Sequence, residues 1–384
     1  MVTAPHASHP PRPPEQPTDP EVARIAPGTA EAVALLPWLD RGLRGGRSGR
    51  LRAELPTALA DSHAGRHFVV RRQGGPAAHA FGRLLPVRAG HHRLCVGTVG
   101  LVYTDPLHRR QGLASRCVTA ATAWLAGNGA GAAILWSDRE RFYARLGYHR
   151  AGREILLGLD PAVMALARIT LGGLDPTAAA GPGDFPELEA LYAAHPWRAE
   201  RAPGELAELA AAPDCTLLVA RRAGRPVAYA AAGRGDDLQG VVHEWAGDVR
   251  GVASCLDELV HRLGPLHLMA GPEPSELLRL LRTCGAESHA GALGLLRALR
   301  PRELLEPVFA REPALRGIAI GEAGDGVLLR WKERSLLLDA REGAALLFGP
   351  ALPDRLHAEL APELCAVLAR ALPLPLFLWG FDSI

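Results

Sequence analysis

Apolar positions change their spacing along the chain in a recurring order. Ala32, Leu35, Leu36, Leu39 and Leu43 recur at helical intervals and predict a helix within residues 23–43, broken by Gly42, Gly45 and Gly46. Residues 68–72, 78–87 and 93–103 are dense in apolar side chains and predict three strands, with Gly74-Gly75-Pro76 as the first turn. Residues 112–126 return to helical spacing through Leu113, Cys117, Val118, Ala121 and Leu125, and stop at Gly127-Asn128-Gly129. A buried strand over 132–136, a helix over 139–146 stopped by Gly147, and a strand from Tyr148 to Leu159 follow, closed by Asp160-Pro161. This is an α/β (α+β) layout around a largely antiparallel, mixed sheet.

Residues 172–183, rich in Gly, Pro and Ala, read as a linker. The same order then returns: helices over 185–195 and 203–211, strands over 215–221, 227–233 and 240–246, a helix over 252–263, a strand over 266–270 and a helix over 275–284. Residues 301–384 differ, with a helix at 301–309, three strands joined by short turns (318–320, 326–331, 335–339), helices over 342–347 and 358–372, and an apolar end from Pro373 to Ile384. An apolar end is predicted to pack down rather than fray. The expected division is a disordered proline-rich tail at 1–20, modules at 21–160 and 172–296, and a third at 297–384.

Composition narrows the function. A net charge of +2 gives no case for a nucleic-acid or membrane-surface partner. The basic residues are arginines apart from Lys332. The six cysteines (Cys95, Cys117, Cys215, Cys255, Cys284, Cys365) form no CxxC pair, which points to reduced thiols in a cytoplasmic protein rather than to a zinc site or disulfides. No apolar run is long enough for a membrane span, and the N-terminal stretch lacks the apolar core of a secretory signal. No metal is expected; His6 and His9 are too isolated to argue for one.

The chemistry concentrates at residues 102–115. A strand ends at Val102-Tyr103-Thr104, turns at Pro106, passes His108, Arg109, Arg110 and Gln111, and opens a helix at Gly112-Leu113-Ala114-Ser115. Amide N–H groups at a helix start lack intrahelical partners and face the positive end of the dipole, so the segment is built to take an anion. Gly112 lets backbone approach a phosphate, and the two arginines add charged donors. In the second module Gly247-Asp248-Val249-Arg250-Gly251 stands in this place, with an acidic residue that argues against a second phosphate site.

The spacing Arg109-x-x-Gly112-x-Ala114 resembles the acyl-CoA pyrophosphate loop of the GCN5-related N-acetyltransferases (GNAT). Phe142-Tyr143-Ala144-Arg145-Leu146-Gly147-Tyr148 is similar to the FY-x-x-x-G-[FY] pattern that carries that family's leaving-group acid. Order and length over the whole chain resemble the family's three-domain members of the enhanced intracellular survival (Eis) type, which join an active acetyltransferase domain, a degenerate second copy and a sterol-carrier-like domain. The resemblance implies acetyl-CoA as cosubstrate, held by Val102, Tyr103, Thr104, Arg109, Arg110, Gln111, Gly112, Leu113, Ala114 and Ser115 and flanked by Asp138 and Arg139. It implies Tyr143 as general acid, since a phenol can hand a proton to a departing thiolate, and the terminal carboxylate of Ile384 as general base. It further implies a primary amine acceptor, on a small polycation or a lysine, and a homo-oligomer, with hexamers known in the family. Asp40, Glu54, Asp105 and Glu244 are candidates for binding a cationic amine, each with a structural role as the simpler reading. A contrasting expectation is a scaffold that binds acyl-CoA or lipid without catalysis.

Overall fold

The computed structural model describes residues 21–60, 65–90 and 92–384. The proline-rich tail expected at 1–20 lies outside them.

Where helical spacing predicts a helix from residue 23, the structure has a strand, β1 (Val22–Ile25). Pro27 and Gly28 (φ +75°) turn the chain, and helix α1 (Ala30–Leu43) begins only at Thr29, whose hydroxyl accepts from the Ala32 amide. After α2 (Arg50–Glu54) come β2 (Gly65–Arg72), β3 (Gly75–Ala89) and β4 (His92–Thr104), which with β1 form an antiparallel meander. Helix α3 (Leu113–Gly127) buries Leu113, Cys117, Val118, Ala121 and Leu125 against one sheet face and returns the chain to β5 (Ala132–Leu135), parallel to β4. A short helix, α4 (Glu140–Ala144), leads to β6 (His149–Ala151).

The single strand predicted from Tyr148 to Leu159 is in fact two. Gly152 takes a left-handed φ of +72°, and a Cβ there would lie 2.6 Å from Leu293. Beyond it, β7 (Glu154–Leu159) leaves for another sheet. Asp160-Pro161 starts a helix rather than closing a unit: the Asp160 carboxylate accepts from the Val163 amide and Pro161 occupies the first turn of α5 (Pro161–Thr170). The linker contributes β8 (Thr177–Ala179), followed by α6 (Phe185–Ala193), β9 (Trp197–Ala199), α7 (Glu205–Ala210), β10 (Thr216–Arg222), β11 (Arg225–Ala232), β12 (Val241–Gly247), α8 (Val249–Leu263), β13 (Leu266–Ala270), α9 (Glu276–Thr283), β14 (Ser288–Gly291) and β15 (Gly294–Ala298).

The two large sheets exchange strands. The first runs β1-β2-β3-β4-β5-β15-β6, with β9 paired to β3; the second runs β14-β7-β13-β12-β11-β10-β8. Thus β15, late in the chain, sits between β5 and β6, while β7 sits between β13 and β14.

The last part holds α10 (Pro301–Arg311), an antiparallel sheet of β16 (Ala319–Ala323), β17 (Gly326–Trp331) and β18 (Arg334–Leu338), and α11 (Ala340–Phe348) with an Asp339/Glu342 capping box. One helix is predicted over 358–372; two form, α12 (Asp354–Glu359) and α13 (Pro362–Ala371), because Pro362 cannot donate within a continuing helix. The apolar end packs down as its composition predicts: Leu374, Leu376, Phe377, Leu378, Trp379 and Phe381 are buried in a core shared with both large sheets.

Three buried histidines and the part-buried His195 have no cationic role. Burial pushes His67 and His243 down to about 3 and His79 and His195 down to about 4, from an ordinary 6.5. Between about pH 6.5 and 4 the unfolded chain therefore binds protons that the fold refuses. Stability is fully present above that window and falls with pH through it, by up to about 1.4 kcal/mol per histidine per pH unit. Urea midpoints should fall steeply on acidification through this range; a flat profile would contradict the buried neutral assignment.

Candidate active site

Strand β4 is bulged next to its partner. His79 pairs with Tyr103 and Phe81 with Gly100, so Leu101 and Val102 together oppose Ala80, and Leu101 takes φ +51°. Two buried rings support the bulge. His79 Nδ1 lies 2.7 Å from the Leu101 carbonyl oxygen, and His79 Nε2 lies 2.9 Å from His67 Nδ1. With both rings neutral, His79 donates through Nδ1 to Leu101, which leaves its Nε2 to accept from His67 Nδ1–H.

The parallel pair β4 and β5 is bonded only from Val96–Ala132 to Thr98–Ile134. Beyond Thr98 the strands diverge. A cavity of about 480 Å³ opens there, walled by Val99–Val102 of β4, Leu135, Trp136 and Ser137 after β5, and Tyr143 of α4. Its far wall is built by Glu154 of β7, by Arg234, Asp237, Leu238 and Met269, and by Leu378, Gly380, Ser383 and Ile384 from the chain's end. Three distant parts of the chain therefore meet at one opening.

Val102, Tyr143 and Ile384 are brought together here, as the sequence reading requires. Tyr143 is buried; desolvation raises its pKa, outweighing Arg139 and a hydrogen bond with Ser137. Tyr103 faces elsewhere: its ring packs on Gly42, where a Cβ would lie 2.3 Å away, and edge-on to Trp38 at 4.8 Å. Asp138 and Arg139 are exposed and do not line the cavity.

The loop before α3 keeps the form of an anion cradle. Asp105 caps the short helical turn Pro106–His108, and Arg109 Nε donates to the Thr104 carbonyl at 3.4 Å. Arg110 (φ +62°) and Gly112 (φ +72°) take left-handed backbone, Arg109, Arg110 and Gln111 are exposed, and no side chain caps α3. A Cβ on Gly112 would meet nothing within 4 Å, so space above the helix start is open. Leu113 is buried in the core, which leaves only its amide for a ligand, while Ala114 and Ser115 keep the first turn narrow.

The second sheet handles the same topology differently. β12 and β13 are parallel and diverge after Val242–Leu268, but the Trp245 indole crosses the gap and donates to the Met269 carbonyl at 3.1 Å. Asp248 caps α8 through the Gly251 amide and pairs with Arg222, so a carboxylate occupies the helix start.

The four candidate carboxylates have structural posts. Asp40 accepts from the Gly49 and Leu51 amides, Glu54 pairs with Arg44 and Arg50, Asp105 caps its turn, and Glu244 is bidentate to Arg201 at 2.9 and 2.6 Å. Sequence reasoning missed the residues that seat the chain's end. Arg201 bonds both oxygens of Asp382 at 3.0 Å, and Arg234 donates to the Gly380 and Ser383 carbonyls at 2.8 and 2.9 Å. The one available signal was Asp382 itself, an acid within an apolar run.

Residues 63–150 match the Acetyltransferase (GNAT) domain family. The chain carries a GNAT acetyltransferase domain. No curated protein matches the sequence. Among solved structures, a probable N-acyltransferase from Enterococcus faecalis V583 is 12% identical over 96% of this chain and 100% of its own, with a TM-score of 0.69. A GCN5-related N-acetyltransferase from Kribbella flavida (16% identity, 95% and 100% covered, TM-score 0.61) and Eis1 from Mycobacterium abscessus (17%, 95% and 100%, 0.59) are also similar. These likenesses extend the fold to the whole chain, as tandem GNAT-like sheets with flanking helices. The GNAT domain makes the chain an N-acetyltransferase. Among the described residues no cluster of His, Cys, Asp or Glu could hold a metal, and no helix is long and apolar enough to cross a membrane.

Ile384 seats against Gly100 in this GNAT domain, and a Cβ on Gly100 would fall 2.6 Å from the Ile384 backbone oxygen. Gly100→Ala should displace that residue and lower kcat about tenfold or more while circular dichroism stays native. Unchanged kcat would remove Ile384 from the chemistry.

Proposed function

We propose that the chain transfers the acetyl group of acetyl-CoA to a primary amine of a small polycation or of a lysine side chain. One observation carries this reading: β4 and β5 part at a cavity that holds a buried, protonated Tyr143, beside a helix start left uncapped behind Gly112. The open edge of β4 at Val102–Thr104 would hold an extended pantetheine arm by backbone hydrogen bonds. The free amides of α3, with Arg109 and Arg110, would take the pyrophosphate. Tyr143 would protonate the leaving thiolate, and the carboxylate of Ile384 would take the proton from the attacking ammonium.

The working organisation is an active module at 21–160, a second at 172–296 that has lost its site, and a sterol-carrier-like third at 297–384. Trp245 across the second opening and Asp248 at its helix start support the loss. The described cysteines are all free, in keeping with a cytoplasmic setting. A homo-oligomer belongs to the same reading.

Calorimetric titration of acetyl-CoA should give one site per chain with micromolar affinity; no binding would sink the enzyme reading in favour of a lipid-binding scaffold. Gly112→Glu should abolish this binding, since it sets a carboxylate where the pyrophosphate would lie; unchanged affinity would show the loop is misassigned. Tyr143→Phe should keep binding and lower kcat by about a hundredfold or more. Full turnover in that variant would refute the proton donor.

A further inference from the structure

The cavity holds a carboxyl that no reading above employs. Glu154 stands at the start of β7, the strand that crosses into the second sheet, and its side chain lines the opening that Tyr143, Gly100 and Ile384 also line. Each other charged side chain of the lining is committed. Arg44 bonds Glu54 and Asp237, both at 2.5 Å, which also engages Asp237, and Arg234 is spent on the Gly380 and Ser383 backbone. Among the described residues Glu154 has no ion pair and no side-chain hydrogen bond. Burial alone pushes it up to about 7, with no cation close enough to offset the cost. A half-buried carboxyl that meets no protein donor is a vacancy for a cationic one.

We infer that Glu154 anchors a second ammonium group of the acceptor, so that the site selects di- and polyamines over monoamines. This rests on the amine-acceptor reading and adds the residue that holds the acceptor's second charge. The reacting nitrogen must shed its charge before it can attack, so a carboxylate that held it by charge would lose its grip as reaction proceeds. A nitrogen elsewhere on the same molecule stays cationic throughout. Binding it contributes equally to ground and transition states, which lowers KM and leaves kcat alone. The proton-accepting role stays with Ile384, and Glu154 only holds.

The test uses the full chain with acetyl-CoA and two acceptors of matched length, putrescine and n-butylamine. Glu154→Gln keeps the shape and removes the charge. It should raise KM for putrescine about tenfold or more, leave KM for n-butylamine unchanged, and alter kcat for neither. Glu154→Asp should retain part of the preference for the diamine. Equal changes in KM for both amines would overturn the anchor, as would a common fall in kcat, which would make Glu154 the base. If the wild-type chain acetylates neither amine nor any lysine peptide while binding acetyl-CoA, the acceptor reading itself fails and the anchor with it.

Discussion

The seating of the chain's end against the cavity rests on one buried guanidinium. Arg201 follows β9, which is paired to the first sheet; it forks onto Glu244 of the second sheet and reaches Asp382 near the chain's end. Its plane stacks 4.0 Å from the Tyr192 ring centroid, and the Tyr192 hydroxyl itself donates to Asp382. Burial lowers the pKa of Arg201, but the two carboxylates outweigh it and hold the guanidinium well above its ordinary value. Losing any one partner would strand charge in a dry site, at a cost of about 3–5 kcal/mol. Such a junction adds little net stability over an apolar one, and what it specifies is the position of Asp382.

That position matters because the two halves of the cavity have different origins. The GNAT domain supplies a bulged β4, a gap beside it and a phenol. It supplies no far wall. The terminal segment and Arg234 help complete the enclosure around Tyr143. The second sheet differs from the first at the same two places. The strand order is shared, yet an indole bridges one gap and a carboxylate fills one helix start.

Much of this was legible in the chain. Arg110, Gly112 and Tyr143 stand out because their residue types recur at a fixed local spacing, and local spacing survives folding. Most of the strands read from apolar density lie within two residues of their predicted limits, but β8, β9, β14 and β15 were not read at all. The misreadings have common causes. Ala23 to Leu43 held both a strand and a helix, since Val22 to Ile25 are too few to show a period. Tyr148 to Leu159 looked continuous because partner identity leaves no mark on apolar alternation. Arg201, Asp382 and Glu154 were hidden for a third reason: their meaning lies in contacts between residues far apart in the chain.

The exchange of β7 and β15 bears on how the protein is made. As the chain leaves the ribosome, β5 and β6 are synthesised long before the strand that must lie between them. The first sheet cannot be completed in the order of its synthesis. It must hold a place open until residues 294–298 emerge, with the whole second sheet already threaded through the interval. Without residues 294–298, which follow every strand of the second sheet, the first sheet lacks the strand that joins β5 to β6.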